Sequence, residues 1–382
     1  MTAKTDDRLK ELDTPCLLLD RDKMERNISG MKERLSRLGV DLRPHMKTAK
    51  SLDVAGILLE GTAGGITVST LKEAEEFAKA GITDMIYAVG ISPRKLPRIN
   101  RLRSGGVDLK VILDSEEQAA ALGKYVSETA DAIPALIELD ADGNRSGVKP
   151  NDKETLLAIA GALRKGGAKL EGVLTHAGAS YDVEDEAAIV AAAEQERKAV
   201  VDAAATLREA GFECPVVSVG STPTARYAGD LTGVTEVRAG VFVFCDLVMA
   251  GLGVCSTDDI AISVLTTVIG HQKEKGWVIV DAGWTAMSRD RGTARQKTDQ
   301  GYGAVCDLQG RAIEDLIMVS ANQEHGIIAL RNEVKDLSAD FPVGTMLRVL
   351  PNHACATAAQ HQEYRLLENG KYTSVWPRFN GW

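Results

Sequence analysis

The sequence contains no long uninterrupted apolar stretch and no cluster of basic residues. Its most apolar segment, residues 239–255, includes Asp246 and three glycines, which makes it too short and too broken to span a bilayer. The formal net charge is −9. Without clustered Lys and Arg, neither a nucleic-acid surface nor an anionic-membrane surface is expected. These absences favour a globular protein that acts on a small molecule.

The first residues, MTAKTDDRLK, lack the apolar core of a secretion signal, so we expect a cytoplasmic protein. The six cysteines show no CxxC spacing, and in a reducing compartment this predicts free thiols. Only Cys355 has a histidine beside it, His353 in PNHACAT. Two residues so spaced share one face of a strand and provide half of a tetrahedral zinc shell. Taken alone, the pair therefore favours two buried side chains over a metal site.

Short β-rich runs alternate with longer stretches of helical spacing from about residue 40 to about residue 245, and this alternation predicts parallel strands joined by helices. The eight strand candidates match the strand count of a TIM (β/α)8 barrel. They are residues 42–47, 64–69, 84–89, 109–114, 135–140, 170–176, 216–221 and 235–240. Helix start and stop signals predict helices over residues 69–81 and 184–211.

After about residue 256 the pattern changes to alternating runs separated by turns, which is typical of an antiparallel β domain. The segment PCLLLD, residues 15–20, is also strand-like and could pair with this domain. We therefore predict a barrel over residues 22–255, and a β domain formed by residues 1–21 and 256–382.

The carboxyl ends of the predicted barrel strands are unusually polar, and this is where barrel enzymes place their working residues. Lys47 ends the first predicted strand and is either a charge partner for a bound phosphate or a Schiff-base nucleophile. Lys50 is expected to be a solvated charge. His176 is either a hydrogen-bonded rim residue or an aromatic plate against a flat ring.

The loops after the seventh and eighth strands contain Gly220-Ser221-Thr222 and Gly240-Val241. Glycine in these loops either makes tight turns or lets backbone N–H groups approach a phosphate. Arg145 follows the fifth predicted strand and Arg238 lies near the end of the eighth, where salt bridges within the barrel mouth would also explain them.

Several motifs together resemble the fold-type III pyridoxal-phosphate enzymes, whose barrel alanine racemases share. They are RPHMKTAK, GITVSTLKEAEEFAKAGITD, DADGNRSGV, GVLTHAG, VSVGSTPTA, EVRAGVFVFCD and PNHACAT. Within that family, the chain is similar to the branch of D-serine dehydratases and D-threonine aldolases over nearly its whole length.

The resemblance implies that Lys47 holds pyridoxal 5'-phosphate as a Schiff base. It further implies that His176 stacks on the pyridine ring, that Tyr181 lines the substrate side and that Arg238 faces the ring nitrogen. The full implied cofactor set is Lys47, Arg145, His176, Tyr181, Gly220, Ser221, Thr222, Arg238, Gly240 and Val241.

By the same resemblance, His353 and Cys355 bind a divalent metal, and they join Lys47 and Tyr181 as catalytic residues. A thiolate with an imidazole suits Zn²⁺, with Mn²⁺ or Mg²⁺ as alternatives. The implied reaction is dehydration of a D-β-hydroxy amino acid to a 2-oxo acid and ammonia. The implied substrate is D-threo-3-hydroxyaspartate, giving oxaloacetate, with D-serine and D-threonine as further substrates.

Other readings stay open at this point. The same scaffold supports retro-aldol cleavage of the D-threonine aldolase type, whereas the β domain argues against a non-catalytic pyridoxal-phosphate-binding protein. A racemase would need a second acid/base for which no clear tyrosine is found. A second substrate carboxylate would need a cation, which Arg289, Arg291 or Arg295 could provide. The resemblance also implies a homodimer.

Overall fold

A computed structural model describes residues 7–62, 64–183 and 185–382. By internal packing the chain forms two compact units. The barrel unit comprises Met31–Gly240 with Phe379–Trp382, and the β unit comprises the described residues up to Gly30 with Val241–Arg378. The predicted domain limits at residues 22 and 255 stay a prediction.

The strands in chain order are β1 (Cys16–Asp20), β2 (Asp41–Pro44), β3 (Ile66–Val68), β4 (Asp84–Gly90), β5 (Asp108–Leu113), β6 (Pro134–Leu139), β7 (Lys169–Thr175), β8 (Val216–Val219), β9 (Glu236–Ala239), β10 (Ile262–Gln272), β11 (Trp277–Val280), β12 (Gly303–Cys306), β13 (Ala312–Ala321), β14 (Gly326–Leu330), β15 (Met346–Pro351), β16 (Glu363–Glu368) and β17 (Lys371–Pro377).

The α-helices are α1 (Arg21–Arg37), α2 (Leu52–Leu59), α3 (Leu71–Lys79), α4 (Leu96–Ser104), α5 (Glu116–Thr129), α6 (Lys153–Lys165), α7 (Glu186–Glu209), α8 (Thr222–Tyr227), α9 (Leu247–Gly251), α10 (Trp284–Met287) and α11 (Ala354–Ala358). Both helices expected from start and stop signals are present as α3 and α7. Residue 184, at the start of the second expected range, lies outside the described residues. No helix within the described ranges has the length and apolar character that a membrane span requires.

The barrel unit confirms the predicted parallel barrel. Its eight strands pair in the order β2-β9-β8-β7-β6-β5-β4-β3, and a parallel bridge between His45 and Thr67 links the two ends of that order. Buried apolar side chains from neighbouring strands, including Ile86, Ile112 and Leu136, pack into one cluster. All eight strands run in the same direction, so their carboxyl ends, and the polar residues that follow them, lie at one end of the barrel.

Buried charges near the amino ends of the strands are paired. Arg43 in β2 contacts Glu236 of β9 at 2.6 Å and Asp84 of β4 at 2.9 Å. Lys110 of β5 contacts Asp84 at 2.8 Å. Buried charges are tolerated when they are paired and hydrogen-bonded in this way. This end of the barrel is thus occupied by a structural ion-pair network, which leaves the opposite end for a site.

The β unit confirms the predicted antiparallel strand domain. Nine strands pair in the order β11-β14-β13-β12-β15-β10-β1-β16-β17, and β10 also pairs with β11. The expected strand at residues 15–20 is β1, which pairs antiparallel with β10 and parallel with β16. The N-terminal strand therefore belongs to this sheet and not to the barrel.

Candidate active site

Lys47 lies in the turn that follows β2, at the carboxyl end of the barrel. Its side chain is exposed, and among the described residues its ammonium group forms no ion pair. Its backbone N–H donates to Nδ1 of His45 at 3.4 Å.

Lys50, three residues further along the chain, was expected to be a solvated charge. Its Nζ lies 3.2 Å from Oε1 of the buried Glu73, so that expectation is wrong.

His176 and Tyr181 lie beside each other after β7. Their ring centroids are 6.1 Å apart, and Nδ1 of His176 lies 2.6 Å from the carbonyl oxygen of Gly220. Burial lowers the pKa of His176 to about 4, against the opposing effect of that hydrogen bond. His176 is therefore uncharged at neutral pH. A neutral imidazole at this position can offer a flat face to an aromatic ring without adding a charge.

The Gly220-Ser221-Thr222 loop forms a close turn between β8 and α8. Gly220 has a φ of 155°, and a Cβ added there would lie 1.8 Å from the carbonyl oxygen of Arg238. Ser221 caps α8, accepting from the N–H of Thr224. The hydroxyl of Tyr181 accepts from the N–H of Thr222 at 3.4 Å. The turn thus gathers backbone N–H groups and hydroxyls, the groups that bind phosphate. In this structure the N–H groups of Gly220, Ser221 and Thr222 donate to Glu196, Thr224 and Tyr181.

Gly240 and Val241 follow β9. A Cβ at Gly240 would lie 2.9 Å from the carbonyl oxygen of His45 and 3.0 Å from Oγ1 of Thr48, so only glycine leaves this position open. Val241 begins a short 3-10 helix and belongs, by packing, to the β unit.

Arg238, within β9, is 5% exposed. It donates to Oγ of Ser218 and, at 2.5 Å, to the carbonyl oxygen of Thr175. Both acceptors are uncharged, and burial lowers the pKa of the guanidinium.

Glu196 lies in α7, where its carboxylate accepts from the N–H of Gly220 at 2.7 Å and from that of Ala177 at 3.2 Å. The buried Glu196, which the sequence pattern did not single out, holds both loops in place.

Arg145 lies in the loop after β6 and lines a pocket of about 150 Å³ together with Glu138, His176 and Tyr181. Its side chain is 64% exposed, and Nη2 donates to Oε1 of Glu138 at 3.2 Å. The pairing with Glu138 is the kind of salt bridge that the sequence left open as an alternative.

His353 and Cys355 lie together in the β unit, but not within one strand. β15 ends at Pro351. His353 occupies the N-cap position of α11, and Cys355 is in the first turn of that helix. The expectation that the pair shares a strand face is therefore wrong. Nδ1 of His353 contacts Oδ2 of Asp290 at 2.7 Å. Burial lowers the pKa of His353, but Asp290, Cys355 and Asp246 outweigh it and raise the pKa to about 11.

Asp246 supports the same segment from a distance in sequence. It is 1% exposed, its Oδ1 accepts from the N–H of Met249 and its Oδ2 accepts from the N–H of Ala354, both at 2.9 Å. Neither Asp246 nor Asp290 was a predicted site residue.

Asp290 lies within the SRDRGTARQK segment, in which the sequence analysis singled out the arginines and not the aspartate. Of these, Arg289 stacks on Trp284 and Arg291 pairs with Asp299.

The residues of the barrel site fit pyridoxal phosphate. Within the described part of the chain, the site combines an exposed lysine without an ion pair, a buried arginine whose hydrogen-bond acceptors are uncharged, a neutral imidazole, and two glycines where a side chain would clash. The buried hydroxyl of Thr67, on the strand bridged to His45, also has no hydrogen-bond partner among the described residues. Such an orphaned polar group is expected where a bound polar molecule completes the site.

The metal pair fits a catalytic ion better than a structural one. Among the described residues, no group of three or more His, Cys, Asp and Glu side chains is arranged to hold a metal. Two protein donors do not close a tetrahedral shell, whereas a catalytic ion keeps positions open. The contact from Nδ1 of His353 to Asp290 leaves Nε2 as the ligand atom, as is common for metal-binding histidines. Metal binding would displace the proton that His353 otherwise carries.

Comparison with known proteins agrees with this geometry. The model of the alanine racemase N-terminal domain matches residues 19–247, and that of a putative serine dehydratase domain matches residues 261–367. The chain therefore belongs to the alanine racemase-like barrel family, in the branch that carries the serine dehydratase domain.

Full-length relatives lie within this branch. The chain is 55% identical to D-threo-3-hydroxyaspartate dehydratase of Delftia sp. (strain HT23), covering 98% of this chain and 100% of the relative. A solved structure of that enzyme superposes with a TM-score of 0.97 at 54% identity, over 99% of this chain and 100% of that one. D-serine dehydratase of Dictyostelium discoideum is 28% identical, over 96% of each chain.

Proposed function

We propose that this protein is a dehydratase of D-β-hydroxy amino acids, which removes the β-hydroxyl and yields a 2-oxo acid and ammonia. D-threo-3-hydroxyaspartate, giving oxaloacetate, is the proposed main substrate, and D-serine and D-threonine are further candidates. The observation that carries the proposal is the His353 and Cys355 pair, held by Asp290, in a chain that also carries Lys47. The name of the 55% identical relative supports the choice of substrate.

Pyridoxal phosphate, when bound, makes the α-proton of an amino acid acidic, and a divalent metal polarises a hydroxyl so that it can leave. In the proposed reaction Lys47 would hold the cofactor, and its Nζ would take up the α-proton. Arg238 would face the ring nitrogen and leave it unprotonated, because a guanidinium stays protonated at neutral pH and can only donate. Neutral His176 supports the ring, and Tyr181 borders the substrate.

The phosphate group is assigned to the loops that close the barrel end. The turn from Gly220 to Thr222 would bind the phosphate through hydroxyls and through N–H groups that now donate within the protein. Gly240 with Val241 would add backbone without side-chain obstruction at the glycine. Ser221 is already fixed by hydroxyl contacts of 2.8 Å to Ser180 and 2.9 Å to Thr224. A donor set held in place before binding loses little entropy when the phosphate arrives.

His353 and Cys355 are assigned to the metal. Imidazole and thiolate together favour Zn²⁺, with Mn²⁺ or Mg²⁺ as weaker candidates. One of the matching structures is a cysteine-to-alanine mutant of D-threo-3-hydroxyaspartate dehydratase in the metal-free form, which supports a metal in this branch. We further propose that the working form is a homodimer. A cytoplasmic location stays a prediction of the sequence.

Retro-aldol cleavage is the second candidate, because relatives that are named aldolases share the whole fold. D-threonine aldolase of Filomicrobium marinum superposes with a TM-score of 0.80 at 26% identity, over 97% of this chain and 96% of that one. The resemblance implies a metal-binding His-x-Cys or His-x-Asp pair in this branch, with cysteine in the dehydratases. Cys355 therefore argues for loss of water.

Product analysis separates the two reactions. The purified holoenzyme should convert D-threonine to 2-oxobutanoate and ammonia, and D-threo-3-hydroxyaspartate to oxaloacetate and ammonia. Acetaldehyde with glycine would show an aldolase instead.

Metal removal tests the metal assignment. Treatment with EDTA should abolish the activity, and Zn²⁺ should restore it. The Cys355→Ser variant should lose metal while keeping the cofactor's absorption band, and Cys214→Ser, a buried thiol in the barrel unit, serves as its control. Full activity after verified metal removal would refute the metal assignment.

A further inference from the structure

The pocket beside His176 and Tyr181 contains a buried carboxylate to which no role has been assigned. Glu138, in β6, is 5% exposed and lines this pocket together with Arg145. Burial raises its pKa, while Arg145 acts in the opposite direction. A buried acid at the mouth of a barrel calls for a physical reason, because carboxylates are rarely buried without a partner.

Both oxygens of Glu138 are engaged by consecutive residues of one loop. Oε1 accepts from Nη2 of Arg145 at 3.2 Å, and Oε2 accepts from Oγ of Ser146 at 3.3 Å. The Arg145 side chain is 64% exposed, whereas that of Glu138 is only 7% exposed. A long, exposed arginine has many rotamers, and holding one of them costs side-chain entropy. The buried carboxylate selects one orientation.

The backbone of this loop is held independently of the Glu138 side chain. The N–H of Val148 donates to the carbonyl oxygen of Glu138 at 2.8 Å, and the N–H of Asp140 donates to the carbonyl oxygen of Val148 at 3.0 Å. The N–H of Gly147 donates to Oδ2 of Asp114 at 2.9 Å. Removing the Glu138 carboxylate should therefore release the Arg145 side chain while the loop itself keeps its path.

We propose that Glu138 is a positioning residue, whose carboxylate holds the guanidinium of Arg145 over the pocket where cofactor and substrate bind. The inference rests on the proposed function, because Arg145 acts in the barrel site only when these molecules occupy it. The proposed role is indirect, because Oε1 and Oε2 of Glu138 accept from Arg145 and Ser146, and Arg145 is the group that would contact the bound molecules.

A double-mutant cycle on the holoenzyme tests the proposal. Glu138→Gln keeps the shape but removes the negative charge, so that a neutral amide oxygen is left as a weaker acceptor for the guanidinium. Loss of the charged partner corresponds to about a tenfold to hundredfold loss of kcat/KM for D-threo-3-hydroxyaspartate. In an Arg145→Ala background, the same substitution should change kcat/KM less than about twofold. Equal effects in both backgrounds would overturn the proposal.

Two further variants keep the test decisive. Glu171→Gln, in the neighbouring strand β7 and paired with Lys169 at 2.9 Å, should leave kcat/KM unchanged. If Glu138→Gln does not fold, Glu138→Asp retains the charge but shortens its reach, and it should show a comparable loss. Wild-type kcat/KM in Glu138→Asp would then overturn the proposal.

Failure of the proposed function is a separate outcome. If the wild type releases no ammonia from any D-β-hydroxy amino acid, the same cycle is measured on the dissociation constant of pyridoxal phosphate and on the pH titration of its absorption band. Coupling between Glu138 and Arg145 in these readouts supports the positioning role, and additivity overturns it.

Discussion

The Asp246→Ala substitution should loosen the metal-binding segment without touching either proposed ligand. Asp246 joins two helix starts, because one carboxylate oxygen accepts from the N–H of Met249 in α9 and the other from the N–H of Ala354 in α11. Ala354 lies between His353 and Cys355 in the chain. The direction in which these two side chains point therefore depends on a carboxylate 108 residues away from Ala354.

The magnitude follows from the two hydrogen bonds. Each contact at a helix start contributes about 1 kcal/mol, and both are lost in the alanine variant. We therefore expect a loss of about 2 kcal/mol in the free energy of unfolding of the metal-free protein. Loss of a residue that orients metal ligands typically weakens metal affinity by about tenfold to hundredfold.

Urea unfolding of the metal-free protein measures the first quantity, and competition with a chromogenic zinc chelator measures the second. The matched control is Asp185→Ala, which removes a cap that accepts a single hydrogen bond, from the N–H of Ala188 at 2.8 Å. This control should lose about 1 kcal/mol and keep its zinc affinity. Unchanged zinc affinity in Asp246→Ala, with a stability loss no larger than that of the control, would refute the reasoning.

Two other perturbations test the electrostatics of the barrel unit. The pKa of His176 is lowered from 6.5 to about 4 in the folded protein. Between these two pH values the imidazole is protonated in the unfolded chain but not in the folded protein. The cofactor-free protein should therefore lose up to about 3 kcal/mol of stability as the pH falls through that window. His176→Gln should remove this part of the pH dependence in urea titrations, and an unchanged slope would contradict it. Glu73→Ala should lower the free energy of unfolding in urea by about 3 kcal/mol, because it removes the buried carboxylate that pairs with the largely buried Lys50. The control Glu76→Ala breaks exposed pairs with Lys72 and Lys79 and should lower the free energy of unfolding by less than about 1 kcal/mol. Equal losses of stability in Glu73→Ala and Glu76→Ala would contradict the role assigned to burial.

Much of the barrel was predictable because its signals are local. A strand of a parallel barrel is a short apolar run, and the following helix has its own periodicity and caps, so each unit can be identified within a few residues. Each of the eight predicted strand ranges overlaps an observed strand of the barrel. The same logic placed Lys47 and His176 at one end, because residues that follow parallel strands converge there.

The partners of these residues were not predictable in the same way. Lys50 reads as a surface charge in sequence, but the barrel brings it to the buried Glu73. Glu138 lies only seven residues before Arg145, yet nothing in the local pattern shows that its side chain enters the pocket. The His353 and Cys355 pair was expected in a strand because alternation continues up to Pro351, and the turn into α11 carries no strong helix-start signal.

By itself, then, the sequence determined the architecture of the two domains and the residue types available for chemistry at the barrel end and in PNHACAT. Only the tertiary structure decided which groups support them: Asp290, 63 residues from His353, and Asp246, on a helix start that precedes most of the β unit. The reason is physical. Periodicity and turn chemistry act over one or two turns of chain, whereas side-chain partners are set by strand pairing and register between segments far apart in sequence.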